Sequence, residues 1–307
     1  MAIILRCAPF PDGGWEGAGT NAETFSSRPE TAFGYPRDFH GNRFVYVVIS
    51  PRAGGLSVGV NMNPDKKCNF DCIYCEVDRS APARETILDL DAMDGELRHT
   101  LAAVQSGALR EDARYRGLSP DLLQLHHVTL SGDGEPTIAA NFLGAVETVS
   151  HVRATGMFGF FKLVLVTNGT GLDLPQVQQG LKLLNKSDEV WVKLDGATQS
   201  YLNLVNRPDV PVEKILANIL MLGRQRPVVI QSLFPSVNGS EPTPDEIGQF
   251  ARSLKELKAN GAQISFVQIY SATRPIQNTG CGHLPLKTLF RIAQTVRDAS
   301  GLKVEVL

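Results

Sequence analysis

The 307-residue chain has no apolar run approaching the roughly 20 residues that a membrane-spanning helix needs. Its first residues offer only Ile3, Ile4 and Leu5 before Arg6, short of the roughly 7 to 15 apolar residues of a secretory signal. The two lacks together set the expectation of a cytoplasmic protein with no membrane partner. Charge of one sign is also missing. The formal net charge is −2, with six acidic residues in excess over 61–180 and four basic over 181–307, too mild a tilt for a nucleic-acid footprint. Cysteines are few and odd in number: of five, Cys68, Cys72 and Cys75 fall together while Cys7 and Cys281 stand alone. A disulfide framework is not built that way, and in a reducing compartment such a group reads as metal-binding or catalytic. Apolar residues at 43% and charged ones at 20% exclude disordered, collagen-like and coiled-coil classes.

Residues 1–40 are rich in Gly, Pro, Ser, Thr and Asn and show no sustained period, which predicts an irregular N-terminal extension ahead of a domain over 41–307. From Phe44 the texture changes. FVYVVIS and LSVGVNM are short β-branched runs separated by the turn SPRAGG. Five more runs follow, HHVTLSG, FKLVLVTNG, EVWVKLDG, PVVIQSLF and ISFVQIYS, each short and continuous enough for a strand covered on both faces. Amphipathic segments lie between them. In TPDEIGQFARSLKELKANG, Ile247, Phe250, Ala251, Leu254 and Leu257 make one face; Thr243 can cap, Pro244 suits the first turn, Glu246 completes a capping box and Gly261 can close the helix. In LPLKTLFRIAQTVRDASG the expected face is Leu286, Leu289, Phe290, Ala293 and Val296. Strand and helix alternating six times predicts an α/β fold with parallel pairing, open or curved into a full or partial barrel, and ligands at the carboxyl ends of the strands.

The motif KKCNFDCIYCEV spaces Cys68, Cys72 and Cys75 as Cx3Cx2C on a loop just after the second strand. Structural zinc wants four ligands, usually in two separated pairs, and an ordinary iron–sulfur cluster wants four cysteines. Three thiols with no fourth nearby leave one coordination position open. Further along, SGDGEPT ends one strand, VLVTNG the next and KLDGA the one after.

With Tyr74 before its last cysteine, this motif resembles the signature of the radical S-adenosylmethionine (SAM) enzymes. The resemblance implies a partial (β/α)6 barrel and a [4Fe-4S] cluster held by Cys68, Cys72 and Cys75, whose fourth iron chelates SAM. It also implies reductive cleavage of SAM to a 5′-deoxyadenosyl radical that abstracts hydrogen from a substrate. SGDGEPT resembles the family's GGEP-type motif, with Gly132, Gly134, Glu135 and Pro136 matching and Asp133 inserted; Glu135 is then expected to meet the SAM ammonium. Thr167, Asn168 and Gly169 resemble the strand-end segment near the SAM methionine and ribose. The likeness runs from about Val45 to Arg274 and is similar to a branch related to the tRNA wybutosine-synthesis enzymes. Those enzymes carry a second cysteine cluster that this chain lacks.

Substrate chemistry is open to Lys193 and Asp195, which share a strand phase and either face the barrel mouth or form an internal ion pair. It is also open to Cys281 and His283 in NTGCGHLP, where the thiol either returns a hydrogen atom or is merely packed in a turn. Asn206, Arg207 and Pro208 lie in the stretch beyond KLDGA. The implied partners are a reductant such as flavodoxin or ferredoxin and an unidentified substrate, with tRNA as one candidate. The rival readings are a zinc- or cluster-stabilised binding module without catalysis and an activase that installs a glycyl radical on a partner protein.

Overall fold

The computed structural model describes residues 32, 39–50, 52–272 and 278–307. Apart from Ala32, Phe39 and His40, the expected extension over 1–40, Cys7 included, lies outside the described residues. The strands in chain order are β1 (Val45–Ser50), β2 (Gly55–Asn61), β3 (Leu125–Ser131), β4 (Lys162–Thr167), β5 (Glu189–Lys193), β6 (Val228–Leu233), β7 (Ser236–Val237), β8 (Ile264–Tyr270), β9 (Cys281–Gly282) and β10 (Val304–Val306). The helices are α1 (Leu90–Ser106), α2 (Phe142–Ala154), α3 (Pro175–Leu181), α4 (Gln199–Val205), α5 (Val212–Gln225), α6 (Pro244–Ala259) and α7 (Leu286–Ser300).

Eight strands make one sheet in the order β1-β2-β3-β4-β5-β6-β8-β10. β1 and β2 are an antiparallel hairpin, and every later pairing in that sheet is parallel, each crossover carrying at least one helix. Strands in a sheet stand about 4.8 Å apart, so β2 and β8 would lie about 24 Å apart were the sheet flat. Instead Gln268 Nε2 on β8 donates to Arg52 O in the β1–β2 turn at 3.3 Å, and Arg52 Nη1 reaches Tyr270 Oη at 3.1 Å. The sheet is therefore rolled into a partial barrel, with the helices outside.

Its inner face is floored by an apolar group separate from the main core, Val164, Trp191 and Val229, with Val166 and Phe266 packed against it. The buried His127 sets its ring edge-on to Trp191 at 5.3 Å. Toward the carboxyl ends the lining turns polar, since Lys193, Gln231 and Gln268 stand in register on β5, β6 and β8.

The helices keep part of their end signals and part of their apolar pattern. On α6 the five expected apolar residues are buried, the four larger ones each contributing roughly 1.5 to 3 kcal/mol, and Thr243 accepts from the Glu246 N–H as cap. Glu246 does not complete the box. Its carboxylate accepts from Thr198 Oγ1 and Ala197 N, tying α6 to the turn after β5. On α7 the expected face is corrected as well. Leu286 and Phe290 are 57% and 51% exposed, and the core side is Leu289, Ile292, Ala293 and Val296. An i, i+4 apolar pair one position off the core stripe looks like part of it in sequence, but packing against the sheet selects the other side.

Candidate functional site

The cysteine loop leaves β2 at the carboxyl end of the parallel strands. Phe70, Ile73 and Tyr74 sink into the core, and the thiols of Cys68, Cys72 and Cys75 between and beside them are left half-buried. Each sulfur accepts from a different N–H: Cys68 Sγ from the Phe70 backbone at 3.4 Å, Cys72 Sγ from Asn206 Nδ2 at 3.3 Å, and Cys75 Sγ from Arg79 Nη1 at 3.2 Å. Burial pushes the Cys68 thiol up to about 11. Burial, and then the negative charge of Asp195, pushes Cys72 up to about 12. Left to themselves these thiols keep their protons; a cationic metal centre would displace them.

Three later segments of the chain fasten this loop and the strand end before it. Glu135 N donates to Lys67 O at 3.1 Å, an approach so close that a Cβ at Gly134 would lie 1.7 Å from that oxygen. Asn61 binds Asp133 through both of its polar atoms, Nδ2 to Oδ2 at 3.0 Å and Oδ1 from Asp133 N at 3.0 Å. Asn168 Nδ2 donates to Asn69 Oδ1 at 2.8 Å. Asp71 N and Ile73 N donate to Asn206 O and Val205 O, each at 2.9 Å. The glycines of SGDGEPT thus admit a close approach of the chain's own residues, Asn61 and Met62 at Gly132 and Lys67 at Gly134.

Glu135 is 2% exposed and carries four donors from the protein. Oε1 accepts from Thr137 N, Thr137 Oγ1 and Thr167 Oγ1, and Oε2 from Asn168 N at 2.7 Å. Burial raises its pKa while those donors oppose the rise. As the cap of the short turn at Pro136 it staples the end of β3 to the end of β4. Asn168 is occupied in the same way, its Oδ1 accepting from Thr170 N and Thr170 Oγ1.

Lys193 and Asp195 form the internal pair, at 3.6 Å between Nζ and Oδ1. Asp195 Oδ2 also accepts from Tyr74 Oη and, at 2.7 Å, from Asn206 Nδ2, while Leu233 N reaches Oδ1 at 2.7 Å. Burial, then Asp195, holds the Tyr74 phenol well above its ordinary pKa, so it stays a donor. Asn206, for which no role was expected, is fully buried and links Cys72, Tyr74 and Asp195. Its partners lie far away in sequence, and only the NRP stretch itself marked it. Cys281 is buried in the main core at the β7–β9 ribbon, and His283 is exposed. Among the described residues no three or more His, Cys, Asp or Glu are gathered as a site for one metal ion. A cavity of about 410 Å³, lined by Leu101, Leu109, Leu123 and Phe160 among others, opens at the opposite end of the strands.

No family model matches the chain. It is 32% identical over 184 residues to the UPF0026 protein slr1464 of Synechocystis sp., a match covering 57% of each. It is 23% identical over 229 residues to a UPF0026 protein of Helicobacter pylori, covering 73% of this chain and 66% of the relative. The chain thus spans less than two thirds of the length of these relatives. No helix among the described residues is long and apolar enough to cross a membrane. Among solved structures the chain is similar to TYW1 with a lysine-pyruvate adduct bound, with a TM-score of 0.55 at 14% identity over 86% of both chains. The fold is mixed α/β, a partial barrel on a mainly parallel sheet, and it is similar to that of TYW1.

Proposed function

We propose that the chain is a radical SAM enzyme, an oxidoreductase-type iron–sulfur protein that cleaves S-adenosyl-L-methionine at a single [4Fe-4S] cluster. The observation that carries this reading is the donor set: three thiols on one pinned loop, each with its own N–H donor. Hydrogen bonds to cluster sulfurs are a recurrent support of such centres. A cluster that takes one iron per thiol does not ask three sulfurs to meet at a point, as a single zinc ion would. When bound, the cluster would supply one electron to the SAM sulfonium, drawn from a reductant such as flavodoxin or ferredoxin.

The chain's own residues then have separable tasks. Cys68, Cys72 and Cys75 hold the metal; Asn206 and Arg79 neutralise part of the charge on Cys72 and Cys75. Gly132, Gly134, Glu135, Pro136 and Asn168 shape the SAM wall by fixing backbone, with Glu135 acting as staple. Tyr74 and Asp195 join the loop to the barrel interior. The adduct in TYW1 does not transfer to Lys193, because imine formation needs a neutral amine. Burial pulls the Lys193 pKa down, but the carboxylate of Asp195 outweighs it and holds the ammonium above its ordinary value. The test is electron paramagnetic resonance of the anaerobically reconstituted, reduced protein. A cubane signal that changes on adding SAM supports the open-iron reading, and a signal indifferent to SAM contradicts it.

A further inference from the structure

Two half-buried cations meet at one phenol oxygen. From β5, Lys193 Nζ reaches Tyr270 Oη at 3.3 Å, and from the β1–β2 turn Arg52 Nη1 reaches the same oxygen at 3.1 Å. Each also stands over an aromatic face, Lys193 at 4.9 Å from the Tyr74 centroid and Arg52 at 5.0 Å from that of Tyr270. Asp195 answers Lys193 but is shared with Tyr74, Asn206 and the Leu233 N–H. Glu305, next in the row beyond Gln268, is taken by Lys303 at 2.6 Å. Arg52 has no carboxylate at ion-pair distance among the described residues, so the interior around Tyr270 carries one positive charge in excess. Charge withdrawn from water without a counter-charge is costly, and a bound anion removes that cost.

A second observation points the same way. Gln231, fully buried, stands between Lys193 and Gln268 in register, so its side chain leaves the same face of the sheet. Its Nε2 is spent on Gln268 Oε1 at 2.8 Å, and its Oε1 has no hydrogen-bond partner. The Tyr270 proton is likewise not used in either cation contact, because both cations donate to that oxygen.

We propose that the barrel interior binds a small organic anion, its carboxylate or phosphate group held by Arg52, Lys193 and Tyr270, with a hydroxyl or amino group donating to Gln231 Oε1. The apolar floor of Val164, Trp191 and Val229 limits it to a small molecule. Lys193 lies against Tyr74, two residues past Cys72, so the ligand sits beside the cysteine loop. Calling it the substrate rests on the radical SAM reading; its binding does not.

The test titrates the full chain, carrying Trp15→Phe so that Trp191 is the reporting indole, with inorganic phosphate, D-glycerate and acetate. It follows fluorescence and melting temperature before and after anaerobic reconstitution. Phosphate or glycerate should saturate at millimolar concentration and raise the melting temperature; phosphate alone identifies a phosphate ester, glycerate alone a carboxylate. Arg52→Gln and Lys193→Gln should each weaken binding at least tenfold, and Arg52→Lys should restore most of it. Glycerate should bind more tightly than acetate in the parent but equally in Gln231→Leu. No saturation by either anion, parent-like binding by Arg52→Gln, or competitive displacement of the probe by SAM would overturn the proposal. The unreconstituted chain gives the first answer without a cluster, so a failure here and a failure of SAM cleavage are separate results.

Discussion

The Asn206 side-chain amide donates to Cys72 Sγ at 3.3 Å across 134 positions of sequence, and the same nitrogen lies 2.7 Å from Asp195 Oδ2. One buried amide thereby couples the loop that bears the thiols to the strand end that bears the only carboxylate paired with Lys193 among the described residues. Asn206→Ala removes donors from a buried sulfur and a buried carboxylate together. Hydrogen bonds to charged groups contribute about 1.5 to 3 kcal/mol, and the variant should lose stability on that order. Denaturant unfolding checks the loss, and iron retained after reconstitution and brief exposure to air should fall below the parent's. Parent-like values in both would remove Asn206 from the account.

Glu135→Ala is expected to act first on the fold and only through it on the ligand. The substitution leaves the donors of Thr137, Thr167 and Asn168 buried without an acceptor, at a cost on the order of 3 kcal/mol or more. Glu135→Gln, which keeps the oxygen that receives three of them, should recover part of it. Unfolding midpoints of the two variants decide the matter: a Glu135→Ala protein as stable as the parent would show that the staple holds nothing.

Gly134→Ala should be worse tolerated than its one added methyl suggests. The new Cβ would lie 1.7 Å from Lys67 O, a backbone atom that cannot swing away. Either the β3 turn or the cysteine loop must move, so reconstituted iron content should drop severalfold while Gly95→Ala on α1, where no atom lies within 4 Å, leaves it unchanged. Equal iron in both variants would contradict the close packing of loop and turn.

Stability should fall in mild acid through His127. Burial lowers its pKa from the ordinary 6.5 to about 4. Between those values the unfolded chain binds the proton and the folded chain does not, so the folded state is favoured fully above about pH 6.5 and loses ground as pH falls toward 4. Over that window the penalty approaches about 3 kcal/mol. His127→Gln should flatten the dependence of melting temperature on pH from 6.5 to 4; an unchanged slope would place the proton elsewhere.

The parts of this architecture that were legible in sequence are those fixed by local chemistry. Short β-branched runs closed by Gly, Asn or Asp could be read as strands because burial on both faces requires continuous apolar residues, and the Thr243 cap and Pro244 start were visible because both act within one turn. The three-residue β10 was too short to show a pattern. Glu246, Asn206 and Arg52 were misread or passed over for a shared reason: their partners, Thr198, Cys72 and Tyr270, lie 48, 134 and 218 positions away. The cysteine motif stood out through its spacing, while the chemistry proposed for it comes from a resemblance. What the glycines and Glu135 of SGDGEPT do within the chain became visible only when the loop and the turn stood side by side.

Production of 5′-deoxyadenosine by the anaerobically reconstituted, reduced protein tests the central claim most directly. The account predicts that the parent forms it from SAM, that replacing any one of Cys68, Cys72 or Cys75 by Ala abolishes it with the barrel still folded, and that Cys281→Ala, at a buried thiol on the β7–β9 ribbon, forms it at the parent rate. A loop variant with two cysteines that matches the parent rate, or iron lost from Cys281→Ala, would contradict an open cluster held by three thiols.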